Sequence, residues 1–494
     1  MFPQIIALLL QISFVFNIFF AAAVIFSERR NPAVTWAWLM VVFLIPYFGF
    51  ILYMSIGMEG RKYRVFAGKC RQDARMLTDI AAKKFPGLDY LQEDSRNHIV
   101  TNFKHMKHTQ HITDLLHLNI VSAGGYLTQN NAASILGDGD AKFSNLFQDI
   151  KNAKSYIHIQ YYIFRNDTLG RRLVDALAEK AREGVEVKLL IDGMGNFWTS
   201  KGIFKPLVQA GGHFGIFMPP RFFRINFQNH RKLCVIDGKI GYIGGFNVGD
   251  EYMGRVRRFG AWRDLHMRLQ GDIVKELELR FIMDWNFAAP RLKVEALERY
   301  FPSSAAHIGD NTGSFIQIIT GGPDTKWANI FNGFSKMISE ANENIYIQTP
   351  YFAPDENIFE SLRIAALSGI DVRIIIPANP DHPFVKWCSL SYLGELLEAG
   401  VRCYEYTEGF IHSKLVIIDG IATSVGTANM DMRSFKLNFE INAFIYDTKI
   451  NKRLKAQFYH DLKLCREILA EVYQHRSVWQ KIKEAFSRLL SPLL

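Results

Sequence analysis

Two histidines, His230 and His412, each carry a lysine two residues on and an aspartate seven residues on. The trios are His230, Lys232 and Asp237, then His412, Lys414 and Asp419. Residues of these types can work on a phosphodiester. An imidazole supplies a nucleophile or a proton carrier near neutral pH, and a neighbouring ammonium can hold the non-bridging oxygens. Fourteen histidines at this composition produce roughly 0.04 chance copies of the pattern, so two copies are not incidental core histidines. Their surroundings match as well. After a gap of six residues beyond each Asp comes GGFN or GTAN, which places Asn247 and Asn429 seventeen residues beyond their histidines.

Cleaving a phosphodiester takes a nucleophile, a proton donor for the departing alkoxide, and positive charge for the transition state. Two His and two Lys cover these roles without a metal or other cofactor. One imidazole would attack phosphorus and the other would protonate the leaving oxygen. Lys232 and Lys414 would contact the phosphate, with Asn247 and Asn429 as neutral donors. Asp237 and Asp419 belong to the catalytic motif. However, each lies five residues from its lysine and just before Gly238 or Gly420, which suits a turn-forming role. Glu251 and Tyr252, after the first GGFN, are candidates for the pocket wall.

The motifs need strands to hold them. HRKLCVIDG and HSKLVIIDG alternate apolar residues at Leu233 and Val235, and at Leu415 and Ile417, which predicts a strand in each. Side chains two apart on a strand share a face, so each His would project with its Lys. Upstream the chain repeats itself. SYIHIQYYIF answers NIYIQTPYF, helical patterns over 171–183 and 358–367 end at Gly184 and Gly369, and VEVKLLIDG answers IDVRIIIPA. ILGDGDAKFSNLFQDIKNA and IITGGPDTKWANIFNGFSKMISEA open the two copies. Alternating strands and helices predict an α/β fold: two repeats, each a mixed sheet flanked by helices. One motif per copy predicts a single site at a pseudo-two-fold interface.

The chain beyond about residue 125 resembles the phospholipase D superfamily, and within it the bacterial cardiolipin synthases. The resemblance rests on NHRKLCVIDGKIGYIGGFNVGDEY (229–252), WRDLHMRLQG (262–271) and HSKLVIIDGIATSVGTANMDMRSFKLNFEIN (412–442). The run NPAVTWAWLMVVFLIPYFGFILYMSIG (31–57) is similar to that group's membrane segment. The resemblance implies His230 as nucleophile and His412 as general acid and base. It also implies that a carboxylate downstream of each motif orients the imidazoles, namely Asp264 and Glu440. The reaction it implies passes a phosphatidyl group between two phosphatidylglycerol molecules, giving cardiolipin and glycerol through a phosphohistidine. A hydrolytic phospholipase D or another transphosphatidylase would use the same residues. A phosphodiester nuclease or an inactive scaffold fits less well.

Composition narrows the partners. A formal charge of +10 suits an anionic surface. Residues 1–27 and 31–58 carry no charge, and each run is long enough to cross a hydrocarbon core needing about 20 residues. The expected partners are therefore lipids at a membrane surface and not nucleic acid. Arg61, Lys62, Arg64, Lys69, Arg71 and Arg75 outweigh Arg29 and Arg30, which predicts a cytoplasmic catalytic region, in a bacterial cell as the resemblance implies. The five cysteines have neither metal-ligand spacing nor a pairing framework. His105, His108 and His111 smear around a helix rather than converge, so a solvated linker helix is expected there.

The expected division is a two-helix transmembrane hairpin (1–58), a helical linker (59–125), two repeats (126–300 and 301–475) and an amphipathic C-terminal helix (476–494). For the last, Val478, Trp479, Ile482, Phe486, Leu489, Leu490 and Leu493 recur at helical spacing. Both an interfacial helix and a helix packed on the catalytic body fit that pattern.

Overall fold

A computed structural model describes residues 15–26, 32–45, 47–54, 60–83, 88, 97, 99–101, 103, 112–219, 226–295, 298–302, 314–489 and 491. The first repeat runs β1 (Asn131–Asp138), β2 (Tyr156–Tyr161), β3 (Glu186–Asp192), β4 (His213–Phe217), β5 (Leu233–Ile236), β6 (Ile240–Gly244) and β7 (Trp262–Gly271). The second opens with β8 (Ile316–Gly321), β9 (Asn344–Gln348), the short β10 (Phe352–Ala353), β11 (Asp371–Pro377) and β12 (Arg402–Tyr406). It continues through β13 (Phe410–Ile411), β14 (Leu415–Ile418), β15 (Ala422–Gly426), β16 (Met430–Asp431), β17 (Glu440–Ile445) and β18 (Cys465–Ile468).

The two sheets have one topology. The first reads β1-β7-β6-β5-β2-β3-β4, and the second β8-β17-β15-β14-β9-β11-β12, with β18 added at the far edge. In each, a parallel trio (β2-β3-β4 or β9-β11-β12) meets an antiparallel set, so both sheets are mixed as expected. Helices Gly139–Asn152 and Thr168–Arg182 cover the first sheet, and Asn329–Glu340 and Glu356–Leu367 take the same places on the second.

The motif strands are buried on both faces, and their alternation sorts side chains between two cores. Leu233 and Val235 join Leu415, Ile417, Trp285 and Ile441 in a core made by both repeats. Cys234 and Ile236 turn into the outer layer of the first repeat, and Val416 and Ile418 into that of the second. The shared core fixes the two sheets against each other. Truncating one of its leucines would cost about 2–5 kcal/mol.

His105, His108 and His111 lie outside the described residues. The helix Gly60–Lys83, however, is not solvated all round. Phe66 packs edge-on against Phe227 and Phe439, and Lys69 is only 1% exposed. Lys69 lies 2.6 Å from Asp73, 2.9 Å from Asp324 and 3.4 Å from Asp284, so it is no longer a free charge beside a membrane. The sequence shows only the Asp73 neighbour four residues on, and a lysine facing Asp284 and Asp324 from afar reads like any other lysine.

Among the described residues no helix is long and apolar enough to cross a membrane, so the expected spanning hairpin rests on sequence alone. The loop with Arg29 and Arg30 lies outside the described residues, as do the side chains of Arg61, Lys62 and Arg64. What is described of the two apolar runs packs together. Val24 from residues 15–26 is buried with Leu39, Val42 and Tyr53, and Phe20 stacks on Phe50.

Candidate active site

His230 and Lys232 stand in the stretch immediately before β5, and His412 and Lys414 immediately before β14. The alternation predicts each His and Lys on the strand itself, but the strands start only at Leu233 and Leu415, which are the first residues to pair, with Gln160 and Gln348. Each His-Lys pair therefore projects beyond the sheet, at the C-terminal ends of β2 and β3 or of β9 and β11.

Backbone pairing then carries each motif across the interface. Asn229 bridges Phe439 in parallel fashion: the His230 amide donates to the Phe439 carbonyl at 2.9 Å, and the Phe439 amide donates to Gln228 at 2.8 Å. On the other side β13 pairs parallel with the start of β7, so the His412 amide donates to the Arg263 carbonyl at 2.7 Å. The residue following each of these partners is a carboxylate. His230 Nδ1 lies 3.0 Å from both oxygens of Glu440, and His412 Nδ1 lies 2.7 Å from Oδ2 of Asp264.

The expected orienting pairs are thus crossed. Asp264 follows the first motif but holds the second histidine, and Glu440 follows the second motif but holds the first. A carboxylate can only accept, so each Nδ1 carries the proton and each Nε2 is left with its lone pair. Lys414 Nζ lies 2.9 Å from the same Nδ1 of His412 and also donates to the His412 carbonyl. With Nδ1 protonated toward Asp264, the carbonyl is the bond Lys414 keeps. Lys232 Nζ donates to the His230 carbonyl at 2.6 Å.

The electrostatics belong to one enclosed site. Burial lowers both imidazoles to about 4; Lys232 and Lys414 add to the effect, while Glu440 and Asp264 oppose it. His230 also feels Lys414, and His412 feels Lys232, so the two motifs share a field. Burial brings Lys414 down to about 8 and carries Lys232 well below the ordinary lysine value. For Glu440 burial works upward, but His230 and Lys232 outweigh it and hold the carboxyl below its usual range. Aromatic rings wall the histidines: Tyr162 stands 4.8 Å from His230, and Trp262 5.3 Å from His412.

The motif aspartates point elsewhere. Asp237 accepts from the amides of Lys154, Ser155 and Tyr156, and Asp419 from those of Asn342, Glu343 and Asn344. Both adopt positive φ, 54° and 51°, at the turn leaving the strand. Their carboxylates are thus turned to the backbone entering β2 and β9.

Asn247 is also engaged by the scaffold: its Oδ1 accepts from the Ile163 amide at 3.0 Å and its Nδ2 donates to Tyr252 at 3.1 Å. Tyr252 is thereby buried behind Asn247, and Glu251 pairs with Arg165. Asn429 is buried too, with its Oδ1 unpartnered. Arg221 and Arg224 lie outside the described residues.

Sequence reasoning passed over the arginines that lock this arrangement. Arg231, between the motif His and Lys, is wholly buried and grips Asp284 at 2.8 and 3.0 Å. It also donates to the Glu440 and Gly321 carbonyls of the second repeat. Arg263, beside Asp264, makes a two-toothed pair with Asp461 across the interface, at 2.8 and 2.9 Å. Asp284 carried one legible signal, as the lone acid in the mostly apolar stretch FIMDWNF.

The chain is similar to known proteins along most of its length. The model of the family described as cardiolipin synthase, PLD-like domain, matches residues 146–285 and 334–462, which between them hold both motifs. The chain belongs to this family. A second model, the phospholipase D-nuclease N-terminal family, matches residues 15–57. The major cardiolipin synthase ClsA of Bacillus subtilis is 45% identical over 99% of this chain and 100% of its own. A cardiolipin synthase of Staphylococcus aureus is 46% identical over 98% of this chain and 96% of its own. Among solved structures, the phosphatidylserine synthase of Haemophilus influenzae covers 77% of this chain and 100% of its own, with a TM-score of 0.60 at 16% identity. That likeness is one of fold.

Proposed function

We propose that the chain is a cardiolipin synthase that moves a phosphatidyl group from one phosphatidylglycerol to another. The observation that carries this reading is the crossed geometry: two imidazoles, each held at Nδ1 by the other repeat's carboxylate, beside two buried lysines.

In the first half-reaction Nε2 of His230 attacks the phosphorus of one phosphatidylglycerol. The P–N bond forms as the P–O bond to glycerol breaks, and His412 gives its Nε2 proton to the departing oxygen. Both imidazoles are neutral in the empty site near pH 7. The negative diester offsets Lys232 and Lys414 and so lets His412 take up the proton it must give. In the second half-reaction His412 removes a proton from a glycerol hydroxyl of the second phosphatidylglycerol. That oxygen attacks phosphorus, the P–N bond breaks, and cardiolipin leaves. One phosphodiester is broken as another forms, so no nucleotide is consumed.

Lys232 and Lys414 hold the non-bridging oxygens. Asn429, with an open amide oxygen, faces the acceptor's hydroxyls, whereas Asn247 contributes at most one remaining N–H. The apolar runs before residue 58 form a membrane hairpin that keeps the site beside its lipid substrates, with the basic flank placing it on the cytoplasmic side.

The test is product analysis after purified protein meets phosphatidylglycerol vesicles. Cardiolipin and free glycerol in equal amounts are expected. Phosphatidic acid as the main product would make the protein a hydrolase and overturn the reading.

A further inference from the structure

The C-terminal helix Val478–Leu489 is packed inside out. Trp479, Ile482, Phe486 and Leu489 are 65%, 50%, 60% and 77% exposed, while Glu484 and Ser487 are the buried residues. At about 100° per residue the apolar set occupies one stripe, and Glu484 and Ser487 fall on the opposite side. The polar side is the fixed one. Glu484 accepts from Arg476 Nε at 2.7 Å, and Arg488 lies 4.9 Å from the Tyr392 ring of helix Pro383–Glu398. Leaving these apolar side chains in water forgoes the burial that normally decides which face of a helix turns inward. A helix held by its polar face presents its apolar face to something else.

Charge says what that is. Lys481 flanks one side of the stripe, and Lys483 flanks the other, with its ammonium 5.1 Å from the Trp387 ring. An apolar stripe between two basic edges matches an anionic phospholipid surface, with acyl chains for the stripe and headgroups for the cations. A second copy of this chain would bring like charges together along both edges. Position agrees with the bilayer. The helix Pro383–Glu398 beneath starts just beyond β11, at the rim of the site, and exposes Phe384. Across the pseudo-two-fold, the loop after β3 exposes Phe197 and Trp198 next to Asn196, which donates to Tyr162 beside His230.

We propose that the apolar face of Val478–Leu489, with Phe384 at its near end, docks flat on an anionic bilayer and turns the mouth of the site toward it. The inference rests on the reading of the protein as a lipid enzyme, and adds a second membrane contact far in sequence from the N-terminal apolar runs.

The experiment uses the full chain carrying Phe486→Cys with an environment-sensitive fluorophore, in nanodiscs of phosphatidylglycerol or of phosphatidylcholine. The labelled parent chain sets the background. Docking predicts a blue shift and quenching by spin-labelled acyl chains in phosphatidylglycerol, reduced about tenfold by adding Ile482→Glu. A label that stays open to aqueous iodide overturns the proposal. So does a label shielded from both quenchers together with cross-linking between copies, which would assign the face to a dimer. Turnover of detergent-dispersed phosphatidylglycerol by the parent chain is measured alongside. Its absence would count against the synthase reading and leave the docking result to stand or fall by the label.

Discussion

His412 Nδ1 lies 2.7 Å from Asp264 Oδ2, although the two residues are 148 positions apart and on different repeats. Glu440 holds His230 in the same way from the opposite direction. Neither repeat contains a complete working unit, since each histidine's tautomer is set by the other half.

Crossing makes a prediction opposite to chain order. Asp264→Asn should impair the proton carrier His412, lowering turnover about 100-fold while phosphatidyl-enzyme builds up. Glu440→Gln should lower turnover to a similar degree with no build-up, because formation of the intermediate itself is slowed. Single-turnover assays with acyl-labelled phosphatidylglycerol separate the two. Build-up in Glu440→Gln and not in Asp264→Asn would mean that each carboxylate serves its own repeat.

The paired motifs were legible because they are local. His230, Lys232, His412 and Lys414 are fixed by spacing, and the repeat is visible wherever strand and helix periods recur. The crossing was not legible, since the pairing of Asn229 with Phe439 and of Phe410 with Trp262 joins segments far apart along the chain. Lys69 and Arg231 escaped for a related reason. A buried cation differs from an exposed one only in its distant partners. The C-terminal stripe was visible, but the usual rule turns an apolar face inward, and here Glu484 and Ser487 occupy that side.

Lys414 should govern affinity for the phosphate at alkaline pH. Its folded value lies near 8, below the ordinary lysine range, so its charge is present below about pH 8 and lost above it. A soluble phosphodiester with no proton of its own to lose should therefore inhibit less as pH rises through 8. The loss is about tenfold, the worth of one charge-assisted hydrogen bond. An inhibition constant flat from pH 6 to 10 would contradict this.

Lys69 should matter to stability out of proportion to its distance from the reaction. Three cations, Lys69, Arg231 and Arg280, face Asp73, Asp284 and Asp324 in a buried network. Lys69→Met leaves one carboxylate unbalanced and should cost about 3–5 kcal/mol, read from denaturant unfolding in detergent. A change within experimental error would mean that the linker helix is not seated between the repeats.

Imidazoles and ammonium groups cover every proton and charge in the proposed reaction. Turnover should accordingly survive excess EDTA and need no added nucleotide. Activity abolished by the chelator and restored by a divalent cation would require a different mechanism.

The central claim is that one shared site holds the phosphatidyl group on His230 while His412 moves protons. Acid-quenched enzyme, after exposure to acyl-labelled phosphatidylglycerol, tests it directly. Label should build up slowly on the protein in His412→Ala, which lacks the acid of the first half-reaction but also the base that clears the intermediate, and be absent from His230→Ala. Label retained by His230→Ala and missing from His412→Ala would move the nucleophile to the second motif and contradict the account.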